Sequence, residues 1–409
     1  MSQQIAVAVV GTGDWGANLV RNFASLPGAR LAALCDSDPE RLKRTAARHA
    51  GVRAVERVED VAADSEIQAV VVSASAASHY TLARTLLVAG KDVFVEKPLS
   101  YSVGEGRAMS DASLNHARVS QMGNHIHNTT GNYRRVVELV QSGKLGKITR
   151  VHLWKTSPTR NIQAREPDTV PEGLDYDFWL GPAPKRPYDP LRSHGTFRQF
   201  WDYSGGTFID FWCHISDVAF WALGLKAPTH VSAAGGRFFL TDKTEAPDTM
   251  EAVLEFPNLL YIYSFRPTPL PGFEHMGHIG CLFEGSEASL VCNYETHEVW
   301  IRGKKVEDFP RPPQTIPDSP GHLREFLDAI KSRNLETTCN VRYGHQLSKC
   351  GLLANIAFRA GHRIHWDDQQ ERIIGDNDAS RYLMRRFRKP WKLKVQRHPA
   401  ALPDHIQVT

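Results

Sequence analysis

The sequence predicts a two-domain protein: an α/β domain on a parallel sheet, followed by an α+β domain on a mostly antiparallel one. Short apolar runs alternate with helical segments up to about residue 125, the pattern of βαβ units. Beyond that point longer segments alternate apolar and polar residues, as half-buried strands do. The 409 residues are also more than a single hydrophobic core usually serves.

Taken in order, IAVAVV (5–10) has strand length and composition and runs straight into the turn GTGDWG and the helical ANLVRNFASL. LAALCD (31–36), helical ERLKRTAARHA, IQAVVVSA (67–74), helical TLARTLLVAG and DVFVEKP (92–98) continue the alternation. A helix is predicted over 130–142. Strands are then predicted at ITRVHLW (148–154), THVSAAG (229–235), TMEAVLEF (249–256), LLYIYSF (259–265), GHIGCLFEG (277–285) and EASLVC (287–292). Five prolines in 306–320 exclude regular structure there. Helical HLREFLDAIKS and GHQLSKCGLLANIAFRAG follow. The expected units are residues 1–125, residues 126–375, and a basic tail, 376–409.

Composition narrows the function classes. Hydrophobic residues make up 42% and charged residues 23%, as in ordinary globular proteins. The six cysteines form no CxxC pair, MSQQIAVAVV lacks the features of an export signal, and no run approaches a membrane span. The expectation is a cytoplasmic protein with free thiols and no membrane or nucleic-acid partner. Residues 379–398 carry eight basic side chains and no acidic one, and without them the chain has more acidic than basic groups. Tyr382, Leu383, Phe387, Trp391 and Leu393 are interleaved with these charges, which suits docking on the protein's own body or a neighbouring subunit.

Gly11, Gly13 and Gly16 form GxGxxG between a strand and a helix, the context in which the motif binds a dinucleotide. Gly11 permits the turn, Gly13 lets the backbone approach a pyrophosphate, and Gly16 lets the helix pack closely. Asp14 and Trp15 open the helix whose N-terminus faces the phosphates. Asp36 ends the second strand, where a carboxylate accepts hydrogen bonds from a ribose and repels a 2′-phosphate. No arginine follows within four residues, so NAD is expected rather than NADP. Glu96 and Lys97 lie at the carboxyl end of a later strand, where such sheets bind ligands.

GGTFIDFWCHISD (205–217) places Asp210, His214 and Asp217 at i, i+4 and i+7, one narrow stripe on an otherwise apolar helix. Such a stripe is expected to face a cleft, with Asp217 serving either substrate contact or helix packing and support behind the site. A histidine beside NAD can take a hydroxyl proton, an aspartate one turn earlier can orient the ring, and Lys97 can stabilise a developing alkoxide.

EKP after a GxGxxG domain, then GGTFIDFWCHISD, resembles the Gfo/Idh/MocA family of NAD(P)-dependent oxidoreductases over nearly the whole chain. YDFWLGPAPKRPY (176–188), FWALG (220–224), NIAFRAGHRIHWD (355–367) and RRFRKPWKL (385–393) are similar to one branch of that family. The resemblance implies a Rossmann domain joined to an α+β domain whose large open sheet builds dimers or tetramers. It implies hydride transfer at a hydroxyl of a sugar, sugar acid, glycoside or inositol, with Lys97 as the catalytic lysine and Asp210 and His214 as the Asp-x3-His pair. The loop after the fourth strand, with Ser73, Ser75 and then His79, is expected along the cofactor, although Ala74-Ser75 stands where many relatives have Thr-Pro. Asn124, His125 and His127 fall where relatives line the substrate site, to contact substrate or to cap the helix that follows, and HNTTGNY departs from the Arg-Phe-x-Pro of many sugar dehydrogenases. Tyr176, Trp179, Arg192 and Arg198 are further substrate-side candidates. Glu274, His275 and His278 have no further paired ligands, so no metal is expected. Three readings follow: an NAD-dependent dehydrogenase, an NAD-dependent glycosidase working through transient oxidation, and a non-catalytic NAD-binding regulator.

Overall fold

The computed structural model describes residues 4–392 and Lys394, apart from 130, 158–159, 164–168 and 194. Strands β1 (Ile5–Val10), β2 (Ala29–Cys35), β3 (Arg53–Val55), β4 (Ala69–Val72), β5 (Asp92–Glu96) and β6 (Ser120–Gly123) form a parallel sheet in the order β3-β2-β1-β4-β5-β6. All six residues of β1 are buried, as expected of a central strand covered on both faces. Strand order reverses between β1 and β4, and the loops leaving those strands diverge there to open a crevice.

The second sheet contains β7 (Ile148–Thr156), β8 (His230–Gly236), β9 (Thr249–Phe256), β10 (Leu259–Arg266), β11 (Ile279–Gly285) and β12 (Ser289–Cys292). β13 (His297–Ile301), β14 (Lys304–Val306), β15 (Ile364–Asp367) and β16 (Arg372–Ile373) complete it. Among the described residues its order is β14-β13-β12-β11-β7-β10-β9-β8-β15-β16. Pairing is antiparallel throughout except between β10 and β7, which run parallel.

One face of this sheet carries the helix Gly206–Leu223. Tyr261, Tyr263 and Phe265 alternate along β10 toward it, and the Phe208 ring lies 4.7 Å from Tyr263. Trp212 sits 5.5 Å from Tyr263 and donates its indole N–H to Leu347 O at 2.7 Å, so a fully buried ring leaves no polar atom unpaired. The apolar faces of this helix therefore fix its rotation, and with it the direction in which Asp210 and His214 point.

Two segments cross the simple division at residue 125. The helix His322–Ser332 returns to the first sheet, where Phe326, Leu327 and Ile330 share a core with Ile5, Val7 and Phe94. Arg333 pairs with Asp92 at 2.6 Å beside it. An amphipathic pattern shows that a helix buries one face, not which sheet covers it. The tail, as far as Lys394, lies on the body of its own chain: Arg385 bonds buried Glu105, and Arg388 bonds Asp177. Arg397 falls outside the described residues.

Candidate active site

A cleft of about 510 Å³ lies between the carboxyl ends of β1, β4 and β5 and the opening turns of the helix Gly206–Leu223. Its floor is the glycine turn. Gly11 has φ +90°, and a Cβ there would meet Ser73 O at 2.3 Å, so both backbone strain and a close approach demand glycine. A Cβ on Gly13 would meet nothing within 4 Å, so the backbone there opens onto free space. The helix Asp14–Ser25 has no side-chain cap, leaving its N-terminal amides for an anion. An open glycine and an uncapped helix end in one crevice fit a dinucleotide pyrophosphate.

Asp36 lies at the cleft edge and is almost completely buried. Its Oδ2 accepts from Thr12 N at 2.6 Å and Thr12 Oγ1 at 2.8 Å, and its Oδ1 accepts from Asp38 N at 3.0 Å. The carboxylate thus braces the glycine turn from the cleft edge. Arg41, five residues on, reaches to 3.8 Å from Asp36 and 3.2 Å from Asp38. The charge at this end is therefore more balanced than the four residues after Asp36 suggest.

At the other end β5 delivers Glu96 and Lys97. Lys97 Nζ lies 3.0 Å from Asp210 Oδ1 and 3.0 Å from the Asp210 carbonyl, and Arg198 Nε lies 3.4 Å from the same Oδ1. Asp210 sits there because the helix starts abruptly: Gly206 has φ +80°, and a Cβ would meet Ala246 Cβ at 2.6 Å. His214, one turn on, also lines the cleft, with its ring 5.4 Å from His125 and 5.9 Å from Phe211. Burial, then the Lys97 charge and His125, hold its pKa well below the ordinary histidine value. Its Nδ1 is buried without a hydrogen-bond partner among the described residues, the kind of orphan a bound ligand satisfies. Asp210 engages Lys97 and Arg198 rather than the imidazole. Burial raises Glu96 to about 7, against the opposing effects of the Trp15 indole and Lys97.

The crevice brings together Gly11, Gly13, Asp14, Trp15, Gly16, Asp36, Ser73, Ser75, Glu96, Lys97, Arg198, Asp210 and His214. Several candidates lie elsewhere. Asn124 and His127 are buried and donate to Asp217, at 2.7 and 2.9 Å, together with the Tyr343 hydroxyl. His127 also stacks on Trp221. The three-residue stripe therefore divides: Asp210 and His214 face the cleft, whereas Asp217 is an interior hydrogen-bond hub. His79 is buried, with ring nitrogens 2.9 Å from Pro98 O and 3.1 Å from Ala74 O, so it ties two cleft loops together instead of lining them. Burial lowers its pKa to about 4. Tyr176 donates to Pro187 O, and Arg192 pairs with Glu245 at 3.0 Å over the Phe200 ring, both outside the cleft. His125 is half-buried beside His214. Trp179 lines the cleft, as do Ser78, Phe178, Phe197, Phe211 and Trp391, which the sequence reading did not single out as site residues. Phe211 follows Asp210 directly and Phe197 precedes Arg198, so adjacency was the one signal available for those two.

Residues 5–124 match the model described as oxidoreductase family, NAD-binding Rossmann fold, and residues 131–393 match the oxidoreductase family C-terminal alpha/beta domain. The chain belongs to the Gfo/Idh/MocA family. The N-terminal domain of this family member is an NAD-binding Rossmann fold. An uncharacterized oxidoreductase, YrbE, of Bacillus subtilis is 25% identical over 254 residues, covering 62% of this chain and 64% of that protein. An inositol 2-dehydrogenase of Acidiphilium cryptum is 30% identical over 183 residues, covering 43% and 54%. The matched region thus spans less than two thirds of these relatives. The WlbA dehydrogenase from Bordetella pertussis, solved with NADH and UDP-GlcNAcA, superposes with a TM-score of 0.66 at 20% identity, covering 89% of this chain and 99% of that one. Levoglucosan dehydrogenase with NADH and L-sorbose gives 0.63 at 16% identity, covering 89% and 99%. At these identities the likeness speaks for the fold. Among the described residues no His/Cys/Asp/Glu group is arranged to hold a metal ion, and no helix is long and apolar enough to cross a membrane.

Proposed function

We propose that this protein transfers a hydride between a secondary hydroxyl of a sugar, glycoside or cyclic polyol and NAD, using Lys97, Asp210 and His214 as its acid–base set. The observation that carries this is the Lys97–Asp210 contact at 3.0 Å, with His214 one helical turn away in the same cleft. Bound NAD supplies the hydride acceptor. Lys97 donates to the reacting oxygen and offsets negative charge as the hydroxyl proton leaves. Asp210 holds the ammonium in place at 3.0 Å, and its Oδ1 also meets Arg198. His214, neutral at physiological pH because of burial, is free to take the proton. Trp179, Phe197 and Phe211 provide apolar faces on which a sugar ring can lie. A screen of sugars, sugar acids, inositols and glycosides for NADH formation tests this reading. Activity on at least one is expected, and neither NADH formation nor aglycone release from any would contradict it.

A second reading has a specific relative behind it. A glycosyl hydrolase family 109 protein of Shewanella amazonensis is 25% identical over 155 residues, covering 36% of this chain and 34% of that protein. Oxidation of a sugar hydroxyl acidifies the adjoining C–H, elimination expels the glycosidic group, and water addition with re-reduction completes a hydrolysis without net redox. Aglycone release without accumulation of NADH distinguishes it. For assembly, we assign the outer face of the second sheet, where Leu260 is 39% exposed on β10, to a second copy of the chain. Light scattering should give at least a dimer, and a monomer at micromolar concentration would refute that assignment.

A further inference from the structure

The tail carries more hydrogen bonds than a surface segment needs, and they converge on the dinucleotide cleft. The Gly104 amide donates to Leu383 O at 3.1 Å. Arg385 then sets its guanidinium against two helices of the first domain, Ala76–Val88 and Val103–Asn115. Nε and Nη2 donate to the fully buried Glu105 at 2.9 and 2.6 Å, Nη2 also bonds Ala77 O, and the group stacks over Tyr101 at 4.5 Å. Phe387 packs edge-on against Tyr80. Farther along, the Tyr80 hydroxyl accepts from Lys394 N at 2.8 Å. Tyr80 and Ala77 belong to the helix Ala76–Val88, whose Ser78, Thr81 and Leu82 line the cleft.

Arg388 makes the other attachment. It donates to Asp177 Oδ1 at 2.7 Å, Asp177 O at 3.0 Å, Gly181 O at 2.9 Å and Ala183 O at 3.1 Å, while its backbone N–H donates to Pro182 O at 3.2 Å. These acceptors belong to the turn that presents Phe178, Trp179 and Pro182 to the opposite side of the same cleft. Three residues past Arg388, and before the Lys394 contact with Tyr80, lies Trp391, under the Arg388 guanidinium at 4.4 Å, with its side chain in the cleft lining. A tryptophan clamped by a cation on one side and opening onto a ligand cleft on the other is an apolar contact waiting for a flat partner.

We propose that residues 385–392 form a strap that retains the cofactor: Trp391 packs against bound NAD, and Arg388 holds the strap across the two cleft walls. The cofactor leaves only when the Arg388 contacts break. The inference extends the NAD site to a segment some 355 residues beyond Asp36 in the chain and assigns it a role in retention rather than in hydride transfer.

The test uses the full-length protein loaded with NADH and chased with excess NAD, following loss of nicotinamide fluorescence in a stopped-flow instrument. Trp391→Ala and Arg388→Ala should each speed NADH release by roughly tenfold or more, the scale of one lost aromatic contact. Asp177→Asn should do less, since three of the four Arg388 side-chain bonds go to backbone carbonyls. Release rates within twofold of wild type in both Trp391→Ala and Arg388→Ala would overturn the proposal. Trp391→Ala touches no buried ion pair, so it carries the test even if an arginine variant folds poorly. The release rate needs no carbohydrate substrate, which keeps this result separate from the fate of the proposed catalytic reading.

Discussion

The two walls of the cleft are built in different ways. At its glycine end the Rossmann wall is largely backbone: a turn at Gly11 to Gly16, an uncapped helix end, and a carboxylate, Asp36, that braces the turn through Thr12, while Glu96 and Lys97 stand at its other end. The facing wall is side chains drawn from distant segments: Arg198, Asp210, Phe211 and His214 from the second domain, with Trp391 from the tail. Cofactor binding needs places where no side chain intrudes, so it leaves glycines at fixed spacing. Chemistry needs charged groups, and each charge in a cleft needs a partner that the fold supplies from far along the chain.

The same contrast recurs within one helix. Asp210 and Asp217 stand two turns apart, yet Asp210 holds a cleft lysine and Asp217 holds an interior cluster. Asp217→Ala should therefore cost stability, about 2–5 kcal/mol, because His127 and Tyr343 would lose their acceptor and Asn124 would keep only the Cys213 carbonyl. Denaturant unfolding measures that loss, and turnover per folded molecule should fall far less than for a cleft residue. A stable Asp217→Ala protein with lost turnover would merge the two roles distinguished here.

A smaller effect is expected on the Rossmann wall. On the proposed ribose contact, Asp36→Ala removes a charged acceptor as well as loosening the turn, so NAD affinity should drop roughly tenfold to a hundredfold, about 1.5–3 kcal/mol. With Arg41 already in place the preference over NADP should narrow, which titration calorimetry with both nucleotides would read. Unchanged discrimination would mean that Asp36 only braces the glycine turn.

The smallest effect is electrostatic. Burial raises Glu96 to about 7, so raising the pH through 7 adds a negative charge beside Lys97, where the proposed reading puts the nicotinamide. Binding of cationic NAD should strengthen a few-fold from pH 6 to 8, NADH binding should not, and Glu96→Gln should flatten the difference. Because the folded pKa lies above the ordinary 4.5, the contribution of Glu96 to stability is complete below 4.5 and declines as pH rises through about 7. An identical pH dependence in Glu96→Gln would assign the ionisation to another group.

The element pattern was largely legible in the sequence, because periodicity records which faces are buried. TMEAVLEF became β9 residue for residue, and HLREFLDAIKS became a helix of the same bounds. What the pattern left open was long-range placement: the return of His322–Ser332 to the first sheet, and the parallel pairing of β7 with β10. In the site, Gly11, Gly13 and Asp36 announced themselves by spacing. Asn124, His127 and His79 did not, since a polar residue near a cleft in sequence can turn inward once a partner such as Asp217 or Pro98 O is there to receive it. Trp391 lay in a segment whose composition pointed to docking, and nothing local said on what.

The central claim is that Lys97, Asp210 and His214 act on substrate rather than hold the fold. The most direct measurement is turnover per folded molecule of His214→Ala, with NADH affinity and melting temperature taken on the same preparation. The account predicts a fall of about 10²–10⁴-fold in turnover with NADH affinity nearly unchanged. It also predicts that wild-type turnover shows no loss near pH 6.5 from His214, whose burial keeps it neutral there. Near-wild-type turnover per folded His214→Ala molecule would contradict the account and reduce the pair in this cleft to packing.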